Sequence, residues 1–122
     1  MRYFKLSEFD SPDVKGSGKL MNKRFLQLLD KARDYAETPF VITSGYRTKA
    51  HHVVLMNQGY QTSPTSAHLK GLAADIFCVD SSDRLAIIEA LLFVGFRRLG
   101  ISAKFIHVDL DYTKTQDVVW IY

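Results

Sequence analysis

Two histidines and two aspartates in this sequence stand at spacings that could hold and use a metal ion. One pair lies in Ser66-Ala67-His68-Leu69-Lys70-Gly71-Leu72-Ala73-Ala74-Asp75, the other in Phe105-Ile106-His107-Val108-Asp109. If the segment from Leu72 is extended, Asp75 shares a face with Ala73 and Phe77, while Ala74, Ile76 and Cys78 point the other way. By the same alternation His107 and Asp109 leave a second strand on the face of Phe105, with Cα atoms about 6.5 Å apart. Two imidazoles and one carboxylate, with a fourth position left to water, make the donor set of a catalytic rather than a structural zinc. Water on such an ion is acidic enough to supply hydroxide near neutral pH when a neighbouring base takes the proton. Taken singly, each residue reads better as structure: His68 as a loop histidine, Asp75 as a turn or cap carboxylate, His107 as a partly buried core residue. Their coincidence, with a carboxylate interrupting an apolar strand, is what points to a metal.

The elements that must position these groups follow from periodicity. Met21, Phe25, Leu28, Leu29, Ala32 and Ala36 trace the stripe of an amphipathic helix that ends before Pro39. Phe40 to Thr43 reads as a short strand stopped by Ser44-Gly45, a turn that presents Tyr46 and Arg47. A short helix is expected over Lys49 to Asn57, a polar loop over Gln61 to Ser66, and a strand within Leu72 to Val79. Ser81-Ser82-Asp83 offers an N-cap for a third helix that buries Leu85, Ile88, Leu91 and Leu92 and stops at Gly95. Phe105 to Leu110 and Val118 to Tyr122 are two further strands, joined by a polar segment of hairpin-loop character. The expected class is α+β, with a small, mainly antiparallel sheet flanked by helices.

Composition sets the outer bounds. The 122 residues carry 16 Lys plus Arg against 13 Asp plus Glu, a net charge of +3, and 47% hydrophobic residues. That profile excludes disorder and fits one domain spanning 1–122. The lone Cys78 excludes an intrachain disulfide framework and a Cys-rich zinc module, so any metal falls to His, Asp or Glu. The charge is too small and too dispersed to argue for nucleic acid, and no apolar run is long enough for a signal-peptide core or a membrane span.

Ser66-x-His68-x-x-Gly71-x-Ala73-x-Asp75, preceded by Ser44-Gly45-Tyr46-Arg47 and followed by Phe105-Ile106-His107-Val108-Asp109, resembles the zinc D-alanyl-D-alanine carboxypeptidases of the hedgehog/DD-peptidase fold, found in bacteria and their phages. The likeness extends from about Leu6 through Gly100-Ile101 to Trp120. It implies one Zn2+ ion held by His68, Asp75 and His107, with Arg47 binding or polarising the substrate. Ser66 would hold the ligand loop or touch substrate, and Tyr46, Tyr60, Tyr112 and Trp120 could rim the cleft. Where many relatives carry a glutamate base this chain has Lys104, and where others carry a histidine it has Phe105. Asp109 is then the remaining base, or else an acceptor that orients His107. His51 and His52 stand where the family often places a histidine and an asparagine, and read better as solvent-facing or satisfied histidines than as cleft-lining groups.

The function implied is hydrolysis of a peptide bond in peptidoglycan stem peptides by a D-Ala-D-Ala carboxypeptidase, expected to be monomeric. A peptidoglycan endopeptidase, or a wall-binding or virion module that keeps the zinc without turnover, are the alternatives. Synthesis in the cytoplasm and action at the cell wall, after release by an unspecified route or as a phage product, complete the expectation.

Overall fold

The computed structural model describes residues 1–60 and 62–122. Among the described residues three α-helices, α1 (Lys23–Ala36), α2 (Lys49–Asn57) and α3 (Ser81–Phe93), accompany five strands. The strands are β1 (Ile42–Ser44), β2 (Ala73–Phe77), β3 (Arg98–Ile101), β4 (Phe105–Asp109) and β5 (Val118–Ile121). They form one sheet in the order β1-β2-β4-β3-β5, antiparallel except for the parallel pair of β3 and β5. Gln61, expected in the loop before Ser66, lies outside the described residues; Thr62 to Ser66 carries neither helix nor strand.

Period-two alternation divides the sheet into an apolar and a polar face. Ala74, Ile76 and Cys78 from β2 and its end, Ile106 and Val108 from β4, and Leu99 from β3 are buried in one core cluster. They pack against Phe25, Leu28, Leu29 and Ala32 of α1 and Ile87, Ala90 and Leu91 of α3. Asn22 starts α1 by accepting the Phe25 N–H at 2.9 Å, a cap worth about 1 kcal/mol. Burying this apolar face obliges the other residues of the same strands to emerge opposite it, where α2 and the turn Ala67–Lys70 contribute the facing walls.

The structure departs from the sequence expectations in four places. β1 begins two residues later than the expected strand and includes Ser44. The cap of α3 is Asp80, whose carboxylate accepts the Asp83 N–H, and not the serines that follow it. Leu85 and Leu92 are exposed; α3 buries Leu91 as expected, with Ile88 packed partly buried beside it, and adds Ile87 and Ala90. The last two strands form no hairpin. β3, which was not expected, takes the place beside β4 and carries β5 on its far edge.

Candidate metal centre and cleft

On the polar face the strand registers stack three rungs across the sheet. Asp75 of β2 pairs with His107 of β4, which lies opposite Gly100 of β3, which in turn pairs with Trp120 of β5. One rung away Phe77 pairs with Phe105. Asp109, next to Ala73, closes the series on the other side. An added Cβ at Gly100 would stand 2.6 Å from the Trp120 ring, so a bare α-carbon is what lets that indole lie down beside His107, their ring centroids 5.4 Å apart.

His68 arrives from outside the sheet. Ser66 starts the turn Ala67–Lys70 by accepting the His68 N–H, so its hydroxyl is turned to the ligand loop. The backbone of Arg47 donates to the His68 carbonyl, tying the two motifs together. Gly45 lies so close to Phe9 that any side chain would clash at 2.7 Å, and its carbonyl lies 2.8 Å from His68 Nδ1. A carbonyl can only accept, so Nδ1 carries the proton and Nε2 is left facing Asp75 Oδ1 at 3.3 Å. His107 is arranged in the same way: Nε2 is 2.8 Å from Asp109 Oδ2, and Nδ1 is 2.9 Å from the same Asp75 oxygen.

These contacts test the donor set. With the outer nitrogens donating, both neutral imidazoles turn lone pairs toward one carboxylate oxygen, a crowding that a cation relieves. One ligand atom from each of His68, Asp75 and His107 lies within 4.8 Å of the others, and two of the separations approach the ~3.3 Å edge of a tetrahedral zinc site. The residues fit a zinc ion. Protonated, the imidazoles would instead donate to Asp75: burial opposes its ionisation, yet the charge of His68 and hydrogen bonds from His107 and His68 override that and hold the carboxyl well below the usual carboxylate range, so it stays in the ionised form that a metal ligand needs. Burial pushes His68 down. Burial alone would lower His107 too, but the Asp109 and Asp75 carboxylates on its two nitrogens raise it.

Arg47 lies in the cleft wall, buried to 6% exposure. Its Nη1 donates to Thr62 Oγ1 at 3.0 Å and meets His52 Nδ1 at 3.3 Å, while Nη2 donates to Ser44 Oγ at 3.2 Å. Its Nε is buried without a partner among the described residues. Burial lowers its pKa and Asp75 opposes that shift. The cleft itself measures about 630 Å³. Tyr46, His51 and Tyr60 line it on the α2 side and Phe105, Trp120 and Tyr122 on the β5 side, whereas Tyr112 lies apart in a shallower depression. Lys104 is exposed in the turn before β4 and does not line the cleft. His52, unlike His51, is buried.

Asp109 is 2% exposed, and each of its oxygens is engaged: Oδ2 with His107, Oδ1 with Arg98 Nε at 2.7 Å and the Asp111 N–H at 3.1 Å. Burial works against its charge, but His107 and Arg98 keep its pKa low. Arg98 and Tyr122 are among the cleft residues that sequence reasoning missed, with Glu8, Asp10, Thr62 and Lys114. Arg98 belongs to the strand that was not foreseen, and the 2-residue alternation of Arg98 with Gly100 is its only trace.

A family model described as Peptidase M15 matches residues 2–109. The chain belongs to the peptidase M15 family. M15 peptidases are zinc-dependent, in keeping with the His68, Asp75 and His107 cluster. Among solved structures, a Serratia marcescens L-Ala D-Glu endopeptidase, ChiX, is similar to this M15 chain at a TM-score of 0.60 and 17% identity. The match covers 78% of this chain and 84% of the other, and it establishes a shared fold. No match is found among curated proteins.

Proposed function

We propose that this chain is a zinc-dependent peptidase that hydrolyses a peptide bond in the stem peptides of peptidoglycan. The observation that carries the reading is the pair of imidazoles whose outer nitrogens are engaged by Gly45 and Asp109 while their inner nitrogens converge on Asp75, at the floor of an open cleft. His68, Asp75 and His107 would hold the ion. When bound there, zinc supplies an acidified water and polarises the scissile carbonyl. Arg47, a buried guanidinium with hydroxyl and imidazole neighbours, is preset to bind a carboxylate or the polarised carbonyl through its planar fork. Ser66 keeps the ligand loop in place, and Tyr46 borders the substrate. Asp109, with both oxygens occupied, orients His107 and keeps its Nε2 proton. That occupancy favours the orienting role over the role of general base.

The finer reading is removal of the terminal D-alanine, for which the unpaired Arg47 Nε in the cleft wall supplies cationic recognition of a chain terminus. A second reading is internal cleavage of the stem peptide. The aromatic lining on both sides of the ligands supports it, as does the likeness to an L-Ala D-Glu endopeptidase. Digestion of purified cell wall followed by mass analysis separates the two. Loss of a single alanine supports the carboxypeptidase, and freed stem peptides or opened cross-links support the endopeptidase. A zinc-loaded protein that binds wall and releases nothing would be a binding module. His68→Ala is expected to abolish zinc occupancy and hydrolysis together; retention of both at the level of the unsubstituted protein would overturn the assignment.

A further inference from the structure

We infer that Arg98 is a positioning residue of the metal centre, acting on His107 through Asp109; this rests on the zinc reading above. The side chain is built into the site at three points. Its Nε donates to Asp109 Oδ1 at 2.7 Å, its Nη1 donates to the Thr115 carbonyl at 2.5 Å, and its guanidinium carbon lies 4.9 Å from the centre of the Trp120 ring. Two edges of one planar group are thus committed to a carboxylate on β4 and a carbonyl in the segment before β5, while the group lies over an indole. Trp120 in turn borders His107.

The consequence concerns the freedom of Asp109. A carboxylate that only accepts from one imidazole can swing about its Cβ–Cγ bond and carry the ring with it. Here Oδ1 is held by Arg98 and by the Asp111 N–H, which leaves Oδ2 aimed at His107 Nε2. The imidazole plane, and with it the direction of the Nδ1 lone pair, is thereby set from a strand that contributes no ligand. Removing the guanidinium would also leave the buried Asp109 with only His107 and the Asp111 N–H as partners and no fixed cation beside it, which loosens the acceptor further. A lysine at 98 would restore the charge but could not serve Asp109 and the Thr115 carbonyl from two separate nitrogens.

The test measures zinc affinity by competition with a chromophoric chelator, and the visible spectrum of the cobalt-substituted protein, for the unsubstituted chain, Arg98→Met, Arg98→Lys, Asp109→Asn and the Arg98→Met/Asp109→Asn pair. Arg98→Met and Arg98→Lys are expected to weaken zinc by about 10- to 100-fold, the range typical of partners that orient a ligand, and to shift the cobalt bands. In the Asp109→Asn background, Arg98→Met should add less than about threefold, because the route through Asp109 is already gone. Unchanged affinity and spectrum in the Arg98 variants, or a full additional loss in the double variant, would overturn the inference. Should circular dichroism show that Arg98→Met is unfolded, Arg98→Lys and Asp109→Asn carry the same comparison. An unsubstituted chain that binds no zinc defeats the metal-centre reading itself, whereas zinc binding that ignores residue 98 defeats only this inference.

Discussion

The His52 imidazole lies between two partners of fixed character: the Ser63 carbonyl, which can only accept, is 2.8 Å from Nε2, and the Arg47 guanidinium, which can only donate, is 3.3 Å from Nδ1. Only the neutral ring with its proton on Nε2 satisfies both. Burial lowers its pKa first, the Ser63 carbonyl works against that shift, and Arg47 adds to it. Because the folded value lies below the ordinary 6.5, the unfolded chain takes up the proton first as pH falls. The stability that His52 contributes is therefore present above that pH and declines below it. Nitrogen NMR of the zinc-loaded protein should show a neutral His52 ring persisting below pH 6.5, and a ring titrating at or above 6.5 would contradict the packing. Arg47→Lys should reduce kcat/KM by about 10²-fold, the scale of losing one preset donor, with the zinc content unaltered. At this scale the motif residues were legible because each carries its chemistry in its type and spacing. For His52 a satisfied histidine was the better expectation, but its partners were not legible, since they are the Ser63 carbonyl and Arg47, and no local pattern joins them.

Strand parity was the part of the element scale that the sequence displayed well. Alternation predicts Asp75 opposite the apolar residues of Ala73–Phe77, and His107 with Asp109 opposite those of Phe105–Asp109, because a buried sheet face enforces a period of two; the pairing of β2 with β4 is what makes these a single face. The order of the strands was less accessible. Arg97-Arg98-Leu99-Gly100-Ile101 lacks the β-branched density of a strand, and its pairing is dictated by neighbours distant in sequence. The segment from Asp111 to Asp117 looked like a hairpin loop because it is polar. Its polarity instead serves Asp111, a 1% exposed carboxylate that accepts from Thr113 N and Lys70 Nζ, both at 3.1 Å, and lies within 3.5 Å of Lys114 Nζ. This arrangement turns the chain away from β4 and delivers it to β3. Burial opposes the Asp111 charge, but the Thr113 hydroxyl and Lys70 bring its pKa down to about 2. Its contribution is accordingly complete above 3.8 and lost as pH falls toward 2. Asp111→Asn should cost about 1–3 kcal/mol near neutral pH, read as a lower urea midpoint, and the gap from the unsubstituted protein should close near pH 2. A gap of the same size at both pH values would show that the charge of Asp111 is irrelevant to the turn.

Across the whole molecule, the three proposed ligands belong to segments that meet only in the folded chain: the turn Ala67–Lys70, held by Gly45 and Arg47, and the two central strands β2 and β4. The helices α1 and α3 lie against the opposite, apolar face, so the core and the cleft are the two sides of the same sheet. An unfolded chain presents no such convergence, and an ion that binds the native state alone must stabilise it by mass action. At free zinc 100-fold above its dissociation constant the gain is about 2.7 kcal/mol, which for a domain of this size corresponds to roughly 10 °C in melting temperature. Chelation of the zinc-loaded protein should lower Tm by about that amount, and His68→Ala should melt near the chelated value and ignore added zinc. The apolar face makes a further demand on the same experiment. Since Ile106 and Val108 of β4 pack in the core while His107 is grouped with His68 and Asp75 on the cleft side, metal loss should loosen β4 from its cleft side only, leaving far-UV circular dichroism below the transition unchanged. A chelated protein that melts at the same temperature as the loaded one would mean that the ligands are held in place without the ion. A loss of secondary structure at room temperature would mean instead that the fold depends on it.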